Sequence, residues 1–134
     1  MKRVAVTGLG VISPVGNDIP TFWNALCSGT CGIGPITKFD ATDYPVKLAA
    51  EVRDFDPKQY MEKLDILHSD VYTHFAMAAA CQAVADSGIA GTLDAERVGV
   101  YIGSGIGGIA TFMTEHSKLL NRGPRSVYPY FIPM

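Results

Sequence analysis

The chain has 134 residues, of which 48% are hydrophobic and 18% charged, and its formal net charge is −2. This balance lacks both the basic excess of nucleic-acid-binding proteins and the low hydrophobicity of disordered chains, and no apolar stretch reaches the roughly 18 residues that span a bilayer. Three irregularly spaced cysteines argue against a disulfide framework. We therefore predict a single cytoplasmic domain over residues 1–134 that binds neither nucleic acid nor membrane.

The N-terminal half predicts a strand, a helix and a long loop. Arg3 to Thr7 is short, β-branched and apolar on both faces, which is typical of a buried parallel strand. Asp18 is placed to cap a helix that has Pro20 in its first turn and that Gly29 should end. Residues 30–60 contain repeated glycines and prolines, which predict a long ordered loop with short extended pieces.

The C-terminal half predicts two helices separated by a strand. Asp70 to Ser87 is the strongest helical stretch, and its apolar character on almost every side from Phe75 to Ala85 predicts burial. Val98 to Ile102 predicts a second buried strand and Ile109 to Leu120 a second helix. The alternation predicts an α/β sheet with helices on both faces. Two strands offer too little cover for such a helix, so we expect part of a larger fold.

Three glycines, Gly103, Gly105 and Gly108, spell G-x-G-x-x-G after the second predicted strand. A dinucleotide-binding loop of this spelling also needs an acidic residue at the tip of a following strand, about 20 residues on. The only acid after Gly108 is Glu115, in the middle of a predicted helix. We therefore favour the interpretation that these glycines let the backbone pass close to another backbone segment or to a ligand chain. A dinucleotide-binding module is the weaker alternative.

The cysteines and histidines form no recognisable reactive group. Cys27 and Cys31 have no histidine at metal-ligand spacing, and Cys81 lies within the apolar helix, which predicts an inert core thiol. We expect satisfied or surface side chains at the three histidines, which are His68, His74 and His116. The residues themselves thus predict no catalytic group, no metal site and no cofactor.

Five segments of the chain together resemble the β-ketoacyl-acyl-carrier-protein synthases, most closely the type II elongating enzymes. The segments are RVAVTGLGVISPVGN (3–17), FW..L..G..GI (22–33), DP..YM (56–61), RVGVYIGSGIGG (97–108) and GPRSVYPYFIPM (123–134). The resemblance implies a thiolase-like fold of two similar βαβαβ halves, of which this chain is the N-terminal, incomplete part. It also implies decarboxylative condensation of malonyl-carrier protein with an acyl chain held on a cysteine.

The resemblance further implies which part of the family's site lies in this chain. The GSGIGG loop would lie against the acyl-binding channel, with Ile106 closing the channel floor between Gly105 and Gly107. Phe131 and Ile132 would line the neighbouring subunit's pocket in a homodimer. The family's nucleophilic cysteine, histidine pair and lysine follow later in sequence than any segment matched here, so we expect the 134-residue chain to be inactive by itself.

The segment before the long helix departs from the family. The resemblance implies acyl carrier protein as a partner, but the family's basic residues are replaced here by Leu67, His68 and Val71. Basic side chains at these positions would steer an acidic carrier protein electrostatically, so their loss weakens the expectation of ordinary docking. This departure leaves room for a specialised or degenerate paralogue. A non-catalytic partner subunit of the chain-length-factor type, which would replace the nucleophilic cysteine, is the alternative interpretation.

Overall fold

The computed structural model describes residues 3–132, so the outermost residues of the domain predicted over 1–134 lie outside the described range. The chain forms two compact units: one runs to Asp56 and adds Ala79–Ala90, and the other combines Pro57–Ala78 with the residues from Gly91 onward. The described helices and strands are α1 (Ile19–Cys27), β1 (Gly34–Pro35), β2 (Leu48–Ala49), α2 (Lys63–Leu67), α3 (Val71–Ser87) and α4 (Ile109–Arg122).

The three predicted helices are confirmed, with ends close to those expected. Asp18 caps α1 because its Oδ1 accepts a hydrogen bond from the Thr21 amide at 2.8 Å. Gly88 follows α3 with a φ of 64°, the left-handed conformation that ends many helices. Helix α4 continues two residues beyond the predicted end at Leu120, to Arg122.

The loop predicted over residues 30–60 is also confirmed, and its extended pieces form a small hairpin. Strands β1 and β2 pair antiparallel, with Gly34 opposite Ala49. Beyond the hairpin, the Glu51 carboxylate accepts hydrogen bonds from the Thr37 hydroxyl at 2.6 Å and the Thr37 amide at 3.1 Å. These bonds, the hydroxyl first, lower the pKa of Glu51. The loop is thus ordered by side-chain contacts as well as by the hairpin.

Both predicted buried strands are wrong. The segments Arg3–Thr7 and Val98–Ile102 are extended, but neither pairs with another strand among residues 3–132. Val4 and Val100 are 93% and 82% exposed. A strand needs a neighbour that completes its ladder of hydrogen bonds, whereas β propensity reports only that side chains would suit a pleated, covered surface. The sequence pattern identified the extended backbone but could not supply a partner.

The expected burial of α3 on all sides is wrong as well. Among residues 3–132, Ala78 is the only buried hydrophobic side chain, whereas Met77 and Val84 are 40% and 44% exposed. Cys81, predicted as a core thiol, is an exposed free thiol. Apolar composition shows that a helix could be covered, and here the described residues cover only part of its surface.

The segment that precedes α1 packs against the C-terminal part of α3. The Leu9 amide donates to Asp86 Oδ2 at 2.9 Å, and the Val11 amide donates to Gln82 Oε1 at 3.0 Å. Between them, a Cβ added to Gly10 would overlap the Ala79 carbonyl oxygen. Side chains of α3 therefore accept hydrogen bonds from the backbone of this segment.

Candidate functional site

A cleft of about 410 Å³ lies in the unit that contains α4. Its walls are mainly apolar and include the side chains of Ile106, Phe112 and Phe131. Hydrophobic lining with few polar groups is typical of sites for apolar small molecules. The remaining lining residues are Asp70, Tyr72, Gly107, Gly108, Ile109 and Thr111.

A tight turn before α4 carries Ile106 to the cleft. Gly107 has a φ of 72°, a left-handed conformation that side-chain-bearing residues rarely adopt. Its amide donates to Ser104 Oγ at 2.9 Å, and its carbonyl oxygen accepts from the Ile109 amide at 3.1 Å. These bonds fix the turn, and Ile106 at its tip is 77% exposed.

A carboxylate lies against the N-terminus of α4. Asp70 Oδ1 accepts a hydrogen bond from the Val71 amide at 2.6 Å, while Asp70 Oδ2 is buried with no hydrogen-bond partner among the described residues. A Cβ added to Gly108 would overlap Oδ2 and lie 2.8 Å from the Asp70 Cγ. Since this carboxylate occupies the end of the helix where a dinucleotide's pyrophosphate would bind, it argues against the dinucleotide-binding alternative.

The segment that follows α4 folds back along this helix and is held by Glu115. This carboxylate is only 5% exposed and accepts hydrogen bonds from Lys118 Nζ at 2.6 Å and from the Tyr128 amide at 2.7 Å. Those two bonds, the lysine first, lower the pKa of Glu115. Ser126 Oγ donates to the Lys118 carbonyl oxygen at 3.0 Å. The return segment, residues 124–132, is thereby fixed at two points along α4.

Aromatic contacts place the end of the return segment. The Phe131 ring lies 6.0 Å from that of Phe112, centroid to centroid, in a tilted arrangement, which is a favourable spacing for an aromatic pair. The Tyr130 ring stacks on His68 with centroids 3.9 Å apart and planes 11° from parallel. Phe131 therefore lines the cleft, while its neighbour covers the imidazole.

The structure brings three of the five predicted site residues together. Ile106, Gly107 and Phe131 line the cleft, whereas Gly105 and Ile132 are not among its lining residues. Ile132 is 87% exposed. An acyl-contacting role for these five residues, and a homodimer in which Phe131 and Ile132 reach a second subunit, remain predictions.

The three residues at the expected departure from the family, Leu67, His68 and Val71, lie around α2 and the start of α3. Leu67 is 53% and Val71 47% exposed. Because His68 is stacked on Tyr130, its ring is held in place. This surface thus presents two exposed aliphatic side chains.

The histidine expectations are confirmed for the two on helices. His74 is buried, with Nε2 3.2 Å from the Ile66 carbonyl oxygen. His116 is exposed.

Sequence reasoning missed the roles of Glu115 and Asp70. The one local signal for Glu115 was Lys118 three positions later on the same helix, a spacing that places the two side chains on one face.

Residues 1–134 match the family described as beta-ketoacyl synthase, N-terminal domain, and the chain therefore belongs to that family. It is 49% identical over 133 residues to the 3-oxoacyl-(acyl-carrier-protein) synthase 2 of Coxiella burnetii and 47% identical over 133 residues to that of Vibrio harveyi. Each alignment covers 98% of this chain and 32% of the relative. The chain thus spans about a third of the length of these curated relatives.

Two solved structures share the fold. One is described as the ishigamide ketosynthase/chain length factor, with a TM-score of 0.75 and 28% identity over 94% of this chain and 32% of the other. The second is described as a type II PKS acyl-carrier protein in complex with its ketosynthase bound to the hexaketide, with a TM-score of 0.70 and 26% identity over 93% of this chain and 34% of the other. The predicted thiolase-like α/β fold is confirmed, although its two expected strands are unpaired here.

Within residues 3–132, none of the helices combines the length and the apolar character that crossing a membrane requires.

Proposed function

We propose that this chain is the N-terminal part of a β-ketoacyl-acyl-carrier-protein synthase and that it contributes one wall of the acyl-binding channel. In this proposal Ile106 limits the depth of the channel, and Gly107 and Phe131 line the same space, whereas Gly105 and Ile132 lie outside the cleft. The chemical step, condensation of malonyl-carrier protein with an acyl chain on a cysteine, belongs to residues elsewhere in the complete enzyme.

The observation that carries the proposal is the apolar cleft on which separate motifs converge. Ile106 comes from the glycine-rich turn and Phe131 from the return segment, 25 positions apart in the sequence, yet both line one space of about 410 Å³. A fatty acyl chain is an elongated apolar ligand and gains roughly 0.8 kcal/mol for each CH₂ that it buries. The names of the curated relatives support the same class of reaction.

The proposed partner is acyl carrier protein. A structural neighbour is a ketosynthase in complex with such a protein, which supports this class of partner. The exposed aliphatic side chains of Leu67 and Val71 make us expect weaker electrostatic steering than basic residues would give. From the family resemblance we also propose a homodimer in the cytoplasm.

A second candidate is the non-catalytic partner subunit of the chain-length-factor type. The departure at Leu67, His68 and Val71 favours it, and one structural neighbour is described as a ketosynthase/chain length factor. The two candidates differ in the residue at the nucleophile position of the complete protein, which is cysteine in the enzyme and another residue in the partner subunit.

A chimera tests the proposal. The matched 133-residue segment of the Coxiella burnetii relative is replaced by this chain, and condensation of acyl- and malonyl-carrier protein is measured with the unmodified relative as the positive control. We expect the chimera to condense and the 134-residue chain alone to be inactive, because nothing described in it supplies an activated thiolate. A folded chimera that fails to condense would overturn the proposal.

A further inference from the structure

We propose that Glu115 is a positioning residue that fixes Phe131 in the cleft. Glu115 lines no part of the cleft, and its hydrogen bond to the Tyr128 amide connects it to the return segment that carries Phe131. The inference rests on the proposed function for its consequence on acyl binding, while the positioning itself is independent of any ligand.

A short hydrogen-bonded path connects the two residues. Glu115 Oε2 accepts from the Tyr128 amide at 2.7 Å. The Tyr128 carbonyl oxygen in turn accepts from the Phe131 amide at 3.0 Å. A single residue of the return segment thus joins the carboxylate on α4 to the backbone of the cleft-lining phenylalanine.

The chemistry of Glu115 suits it to this role. Its other oxygen accepts from Lys118 Nζ at 2.6 Å, so both carboxylate oxygens are used. Hydrogen bonds to an ionised acceptor are shorter and stronger than those between neutral groups. Because Glu115 is 5% exposed, removal of its carboxylate would leave the Tyr128 amide without this acceptor in a place where water has little access.

The position of Phe131 follows from this anchor. Its ring lies 6.0 Å from that of Phe112, which is on α4 as Glu115 is. If the turn at Tyr128 loosens, the Phe131 ring loses its fixed distance from α4 and the cleft loses one wall. A protein with this anchor intact presents a cleft of defined width to an acyl chain.

The experiment uses the chimera with the Coxiella burnetii relative and compares the unsubstituted protein with Glu115→Ala, Glu115→Gln and the matched control Glu96→Gln, which changes an exposed residue. Hydrogen exchange and NMR report the protection of the Tyr128 and Phe131 amides and the contact between the Phe112 and Phe131 rings. Titration with cis-parinaric acid, a fluorescent long-chain fatty acid, reports binding to the cleft.

We expect Glu115→Ala to lower the protection of both amides by about tenfold or more, to abolish the ring contact and to weaken probe binding. Glu115→Gln should keep most of the amide protection, the ring contact and the probe binding, since its side-chain oxygen can accept a hydrogen bond from the Tyr128 amide. Glu96→Gln should match the unsubstituted chimera in all three measurements. Unchanged protection and ring contact in a folded Glu115→Ala variant would overturn the positioning role. An unsubstituted chimera that keeps the ring contact but binds no probe would instead count against the proposed function alone.

Discussion

The two glycine-rich segments of this protein look alike in sequence and differ in what surrounds them. In the first, a Cβ on Gly10 would overlap the Ala79 carbonyl oxygen and lie 2.9 Å from the Ala83 amide nitrogen. In the second, Gly103 and Gly105 have no described heavy atom within 4 Å of a built Cβ, and only Gly108 is crowded, by the Asp70 carboxylate. The first segment therefore needs glycine for packing on a helix, and most of the second does not.

This difference shows why a glycine spelling alone does not identify a site. A G-x-G-x-x-G pattern predicts a tight turn at the first glycine and close approach at the other two. In this chain the crowded glycines are Gly108, which meets the Asp70 side chain, and those of the earlier, differently spelled cluster. What the second segment contributes is a turn, made by Gly107, that presents Ile106. Substitutions at single glycines can separate the two roles.

The largest effect is expected from Gly10→Ala. The added methyl group must displace the backbone of α3, and the flanking amide bonds from Leu9 to Asp86 and from Val11 to Gln82 would be strained with it. We expect the free energy of unfolding to fall by about 3 kcal/mol, the upper range for overpacking. Urea denaturation followed by circular dichroism measures the change. A loss within experimental error would show that the segment does not pack on α3 in solution.

A smaller loss is expected from Gly108→Ala, because the group in the way is a side chain. We expect about 1–2 kcal/mol, and less in an Asp70→Ser background, where the shorter side chain leaves room for the methyl group. The two changes should therefore couple by at least about 0.5 kcal/mol in a double-mutant cycle. Strictly additive effects would mean that Asp70 and Gly108 are not in contact.

The smallest effect is expected from Gly105→Ala, which serves as the control for both. The built Cβ meets no described atom within 4 Å, and this glycine is not among those with positive φ. We expect the free energy of unfolding to change by no more than about 0.5 kcal/mol. A loss comparable to that of Gly10→Ala would erase the distinction between the two segments.

The helices could be predicted from the sequence because their signals are local. Asp18 caps α1 as expected, and Gly88 ends α3 in the left-handed conformation. The strands could not be predicted, because pairing depends on a distant partner, and residues 3–7 pair with no strand among residues 3–132. The prediction that α3 is buried on all sides failed for the same reason, since the hydrophobicity of a helix does not show which residues cover it.

The candidate site was predictable only through the family resemblance. That resemblance named Ile106, Gly107 and Phe131, which the structure places around one cleft. The polar residues that hold the cleft were missed. Glu115 reaches Tyr128 across 13 positions, and Asp70 reaches Gly108 across 38. Neither pair has a periodic spacing or a motif, so only the folded backbone shows that they meet.

The central claim is that this chain forms a wall of an acyl channel that Ile106 limits, and Ile106→Phe in the chimera tests it most directly. A phenyl ring occupies space that the acyl tail needs, and overpacking of about 1–3 kcal/mol corresponds to about fivefold to 150-fold in rate. The measurement is the ratio of kcat/KM for long and short acyl primers, with Leu120→Phe, an exposed position on α4 that lines no part of the cleft, as the control. We predict that the ratio falls about tenfold for Ile106→Phe and is unchanged for Leu120→Phe. An unchanged ratio in a folded, active Ile106→Phe chimera would contradict the account.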